Sequence, residues 1–188
     1  MKRIIILTIA GLLTSGCSTI VSSFKEEPIQ EVRTDRTTGS FVDDELIEIK
    51  SHVNISKGTV ELSSSHVNVT SFNGVVLITG QVATEDSRLE AEKIVSQVRK
   101  IRRIHNELTV TSPTSTLTRA SDTWITAKIK ANMIGDKQVD ATQVKIVTEN
   151  GVVYLMGLVT RMQSDNAVRL VRGVNGIQKI VKIFEYID

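Results

Sequence analysis

The stretch FNGVVLITGQV at residues 72–82 returns as ENGVVYLMGLV at residues 149–159. A repeat at this separation constrains the fold more than any local propensity, because each copy must be one structural unit and the chain must hold two of them. Both copies open on Asn-Gly, at Asn73-Gly74 and Asn150-Gly151, and run through a Val-rich segment to Gly80 or Gly157. Asn-Gly between extended segments is the strongest short hairpin signal, since both turn positions accept positive φ. The spacing predicts strands over 67–72 and 144–148 before the turns and over the Val-rich segments after them.

The pattern continues beyond each hairpin. Thr84 and Thr160 stand where a helix N-cap is needed, and Thr160 with Gln163 has capping-box spacing. Ala91, Ile94, Val95, Val98 and Ile101 then fall at the same intervals as Ala167, Leu170, Val171, Val174 and Ile177. Each set is one apolar stripe of a 3.6-residue helix. Final strands are predicted near 104–110 and 178–187. Gly173 and Gly176 follow a helix and do not open one, so they read as its terminus, one of them in the left-handed region, and not as a phosphate cradle. The opening element is a helix over 122–134, with Ile125, Ile129 and Met133 on one face and Asp122 as its cap. In the first copy Ile47, Ile49, Val53 and Ile55 alternate, which alone argues for a strand. The repeat decides for a helix there. Each unit reads helix–strand–strand–helix–strand: an α+β fold, a small three-stranded sheet with two helices on one face. Units this small bury little alone, so the two are expected to pack together.

The amino terminus reads differently. Lys2 and Arg3 precede an apolar run of about ten residues, half the roughly twenty that a spanning helix needs. LLTSGC then brings small residues up to Cys17, the only cysteine, so no internal disulfide can form. This is the layout of a signal peptide over 1–16. Gly16-Cys17 resembles a bacterial lipobox, which implies that Cys17 carries a diacylglycerol; an ordinary signal peptide with a nearby cysteine is the alternative. Residues 17–40 are the acylated cysteine and a polar tether, spanning about 25 Å on average as a flexible coil. Without Lys2 and Arg3, the 23 basic residues become 21, matching the 21 acidic ones. A general polyanion binder, nucleic acid included, is therefore a poor description.

Two αββαβ units behind a lipobox resemble the dual BON-domain lipoproteins of Gram-negative envelopes. The resemblance rests most on SDTWITAKIKANM, VKIVTENGVVYLMGLVT and VRGVNGIQKI, all in the second copy. In the first copy, Gln97 and Lys100 stand where the second has Gly173 and Gly176. The resemblance divides the mature chain into a first BON domain over 41–112, a linker over 113–120 and a second BON domain over 121–188. It implies a non-enzymatic protein that associates with anionic phospholipid and supports envelope integrity, with other outer-membrane or division-associated proteins as further partners. Ser18 after Cys17 implies, by likeness to enterobacterial-type lipoproteins, an outer-membrane address facing the periplasm.

Trp124, the sole tryptophan, is the most informative candidate. On a helix it neighbours Lys128, Ala131 and Ile134, with Lys130 nearby, while Ile125, Ile129 and Met133 turn toward the core. Tryptophan favours the membrane–water boundary, and lysines reach headgroup phosphates from it. Trp124, Lys128, Lys130, Ala131 and Ile134 are thus the candidate lipid-binding residues. The competing reading makes Trp124 a cap on the core between domains. Residues 119–188 carry ten basic and seven acidic side chains, residues 41–112 eight and ten, so the second unit suits an anionic surface better. RKIRR at 99–103 reads as a solvated helix end.

Catalytic signals are missing. His52, His66 and His105 fall on different predicted elements, and no HExxH, paired cysteine or GxSxG elbow occurs. No catalytic residue, metal or cofactor is expected. Beside lipid docking, a periplasmic protein-interaction scaffold without direct lipid recognition stays open.

Overall fold

The computed structural model describes residues 37–188. The expected signal peptide, Cys17 and nearly all of the expected tether lie outside the described residues.

The first unit runs α1 (Thr38–Ser56), a short α2 (Val60–Ser63), β1 (His66–Phe72), β2 (Val75–Val82), α3 (Glu85–Ser96) and β3 (Arg103–Val110). The second runs α4 (Thr116–Ile134), β4 (Val144–Glu149), β5 (Val152–Val159), α5 (Arg161–Arg172) and β6 (Lys179–Tyr186). Each sheet has three strands with the second in the centre. The hairpin strands pair antiparallel; the third strand, reached through the helix, pairs parallel to the centre. The alternating apolar pattern over 47–55 belongs to a helix, as the repeat required. Tertiary burial of Ile47 and Ile55 on one helical face decides it.

Both turns have the paired positive φ that Asn-Gly supplies: 52° and 74° at Asn73-Gly74, 48° and 73° at Asn150-Gly151. Thr84 and Thr160 cap α3 and α5, and the Thr160–Gln163 capping box is complete. The helices stop sooner than their apolar stripes. Val98 and Ile101, like Val174 and Ile177, lie beyond the last helical turn and still pack on the cores. Gly176 takes the left-handed conformation (φ 92°), whereas Gly173 does not.

Three corrections concern helix starts. α1 begins at Thr38, inside the stretch assigned to the tether, because the Thr37 hydroxyl caps it by accepting from the Ser40 amide. α4 begins at Thr116, inside the expected linker, because Ser115 caps it in the same way. Asp122 is therefore no cap. It sits buried near the middle of α4, and its carboxylate accepts the amides of Asn150 and Gly151 at 2.8 and 2.9 Å. Asp44 on α1 does the same for Asn73 and Gly74 at 2.7 and 2.8 Å and also accepts the Ser71 hydroxyl at 2.5 Å. The repeat thus includes a carboxylate that ties each opening helix to the hairpin turn beneath it.

Each unit has its own core between sheet and helices. The opposite faces of the two sheets meet in a third cluster of Phe72, Val75, Leu77, Tyr154, Met156 and Ile183. Helices, sheet, sheet and helices stack in four layers, and every residue of β2 is buried. Polar contacts register the sheets. Gln81 donates to Glu149 at 2.8 Å and accepts from the Thr114 amide at 3.2 Å. Lys145 reaches Glu48 at 2.6 Å and the Ser71 carbonyl at 3.2 Å, and Arg102 pairs with Glu185. Burial, with Glu107 and Glu149 nearby, pushes the Tyr154 phenol up to about 12.

Candidate functional site

α4 presents two faces whose chemistry differs. Ile125, Ile129 and Met133 are buried in the second core with Asp122 among them. Leu117, Ala120, Trp124, Ala127, Ala131 and Ile134 recur at alternating steps of three and four residues on the other side, and all are exposed. That spacing lines one outward strip along the helix. Its large members stand well clear of the protein: Leu117 is 79 % exposed, Trp124 56 % and Ile134 77 %. Exposed tryptophan and aliphatic side chains on a solvated helix forgo burial worth about 1.5–3 kcal/mol each, and a contiguous strip of them is the kind of surface at which interaction sites are sought.

The strip has a cationic border. Arg119, Lys128 and Lys130 are all exposed on α4, and the helix's one acidic residue, Asp122, is held inward by the turn. An amphipathic surface of this composition combines apolar insertion with attraction to anionic headgroups. Beside it runs a groove of about 460 Å³ between α4 and β1, lined by Arg119, Thr123, Thr126 and Lys130 from the helix and by His66 and Asn68 from the strand. A carboxylate floors it: Glu149 lies 3.7 Å from His66 Nε2 and is engaged by Gln81. The reading of Trp124 as a core cap between domains does not match its exposure, since the interdomain cluster is built from Phe72, Val75, Leu77, Tyr154, Met156 and Ile183.

Trp124, Lys128, Lys130, Ala131 and Ile134 all lie on the solvent side of α4. Cys17 lies outside the described residues. Sequence reasoning left out Leu117, Arg119, Ala120 and Ala127. Starting the helix at 122 cut off its first six residues, Leu117, Arg119 and Ala120 among them; Ser115 three before Thr118, after Pro113, was the available signal for the earlier start.

The histidines are dispersed on α1, β1 and β3. The His105 imidazole is held below its usual range, first by burial and then by Arg103, with Glu107 opposing, and its Nε2 is buried without a partner. Among the described residues no three His, Cys, Asp or Glu side chains gather as a metal cluster, and no helix is long and apolar enough to cross a membrane.

Comparison with known proteins agrees with the architecture. The BON domain model matches residues 43–112 and again 121–187. The chain is 34% identical over 188 residues to the outer membrane lipoprotein DolP of Haemophilus influenzae, covering 100% of this chain and 97% of the relative. It is 33% identical over 153 residues to a 21 kDa hemolysin of Actinobacillus pleuropneumoniae, covering 81% of this chain and 79% of that one. It is 29% identical over 148 residues to the osmotically-inducible protein Y of Escherichia coli, covering 76% and 72%. With two matched domains and likeness along its whole length to an outer-membrane lipoprotein, the chain belongs to the BON-domain family as a lipid-anchored protein of the outer membrane.

Proposed function

We propose that this protein is a membrane-surface binding module: Cys17 carries the lipid anchor, and the second domain docks on anionic phospholipid through the outward face of α4. Trp124, Ala131 and Ile134, joined by Leu117, enter the interfacial region. Lys128 and Lys130, with Arg119, meet headgroup phosphates. It acts by binding and not by catalysis, and supports envelope integrity by holding a folded unit against the leaflet.

The carrying observation is the exposed strip of Leu117, Trp124 and Ile134 bordered by three cations with no exposed acid on the same helix. Each well-placed cation near an anionic leaflet contributes about 1 kcal/mol, and the interfacial tryptophan adds to that. The sole tryptophan is its own reporter. The mature chain carrying Cys17→Ser, titrated with phosphatidylglycerol vesicles, should show a blue shift of Trp124 emission that weakens with salt and with Lys128→Glu. Emission that stays unchanged through millimolar lipid rejects the reading.

A further inference from the structure

The first domain repeats the outward helix face with different chemistry. Aligning Asp44 with Asp122 places Val42, Leu46, Ile49 and Val53 of α1 where α4 has Ala120, Trp124, Ala127 and Ala131. All four are exposed, and their steps of four, three and four residues form the seam used when two helices pack together. The border differs from that of α4. Asp43 and Glu45 flank the first half of the strip, Lys50 and His52 the second. Glu45, Lys50 and His52 are exposed, and Asp43 is half-buried beside Lys100. An acidic half does not suit an anionic leaflet.

We infer that the outward face of α1 is a self-contact, where a second copy of this chain docks antiparallel about a two-fold axis between Leu46 and Ile49. In that register Val42 lies across from Val53 of the second copy and Leu46 across from Ile49. The flanking positions bring Asp43 to Lys50 of the second copy and Glu45 to His52. Both pairs occur twice by symmetry, so the pattern complements itself, as an isologous interface must. The corresponding face of α4 lacks this pattern: in the same register Ser121 and Thr123 lie across from Lys128 and Lys130 of the second copy, with no acid to pair either cation. Covering four side chains exposed at 51, 44, 56 and 43 % buries about 350 Å² per copy, about 700 Å² in total, short of the roughly 1,200 Å² at which stable interfaces begin. The contact is therefore weak between free molecules and forms where anchoring in one leaflet raises the effective concentration.

The test uses the full acylated protein in phospholipid vesicles. Ile49→Cys places a thiol close to its own image across the axis, and a short bis-maleimide should link two copies well above the level of the parent chain. Lys50→Glu and His52→Glu each set like charges across the seam and should lower the linked fraction at least fivefold. Glu45→Lys added to His52→Glu should restore it. All these side chains reach solvent, and circular dichroism confirms that each variant is folded. Linking no greater than in the parent, linking indifferent to the two reversals, or failure of the swapped pair to restore it overturns the inference. So does a blue shift of an environment-sensitive dye, attached through the thiol of the Ile49→Cys variant, that requires lipid but not a second copy; that would assign the face to the membrane. Trp124 emission stays with lipid in every variant, so loss of the self-contact and loss of lipid docking are read separately.

Discussion

Removing the Asp122 carboxylate tests how α4 is held. Asp122 lies two residues before Trp124, and it is what fastens α4 to the β4–β5 turn. Asp122→Ala deletes two charge-assisted hydrogen bonds and leaves the amides of Asn150 and Gly151 without them. A hydrogen bond to a charged group contributes about 1.5–3 kcal/mol, and water can replace the one to the exposed Asn150 but not the buried one to Gly151, so the expected loss is about 2–4 kcal/mol. At about 2–4 °C per kcal/mol for a chain of this size, that lowers the melting temperature by about 5–15 °C. Asp122→Asn keeps one acceptor oxygen and should fall between. Asp44→Ala should cost at least as much as Asp122→Ala, because Asp44 also accepts from Ser71. Thermal unfolding followed by circular dichroism gives the loss. Hydrogen exchange locates it: the Gly151 amide should lose protection in Asp122→Ala while the Gly74 amide keeps its own. A loss under about 0.5 kcal/mol, or unchanged Gly151 protection, would refute the clamp.

Other outcomes follow from single positions. Lys100 holds φ 74° where the second domain has Gly176. Lys100→Gly relieves about 1–2 kcal/mol of left-handed strain against about 0.5–1 of added chain entropy, and urea unfolding should show a gain of up to about 1 kcal/mol even without the Lys100–Asp43 pair. Gly80→Ala would set a Cβ 1.9 Å from the His66 carbonyl oxygen on the paired strand; a loss of at least about 3 kcal/mol is expected in the same assay. Burial first, then Arg103, holds the His105 imidazole below its ordinary value of 6.5 in the fold. The unfolded chain then binds more protons as pH falls through 6.5 and below, so stability contributed at pH 7–8 is lost over that window. His105→Gln should flatten this part of the stability–pH curve measured by thermal unfolding.

The hairpins, caps and core stripes were legible because they are local. Asn-Gly fixes a turn from two residues, and the capping box at Thr160 needs four. The repeat supplied what periodicity alone read wrongly at 47–55, where Ile47 and Ile55 face the core while Ile49 and Val53 face out. The orientation of Trp124 followed from helical spacing against Ile125 and Ile129. What stayed hidden depends on contacts distant in sequence. Asp122 looked like a cap because an acid before an apolar run usually is one; its true partners are 28 and 29 residues away. That the two units pack together was expected from their size, but which sheet faces meet was hidden for the same reason. Every residue of β2 and most of β5 are buried, but the layer that covers their second side can be seen only in three dimensions.

The most direct measurement for docking through α4 is amide NMR of the mature chain carrying Cys17→Ser, titrated with bicelles containing phosphatidylglycerol or phosphatidylcholine alone. Shifts should concentrate on residues 116–134, strongest around Leu117, Trp124, Lys128, Ala131 and Ile134, appearing with the anionic lipid and fading with salt. Perturbations centred on the first domain or along the β6 edge, or equal response to the zwitterionic lipid, would contradict docking through α4.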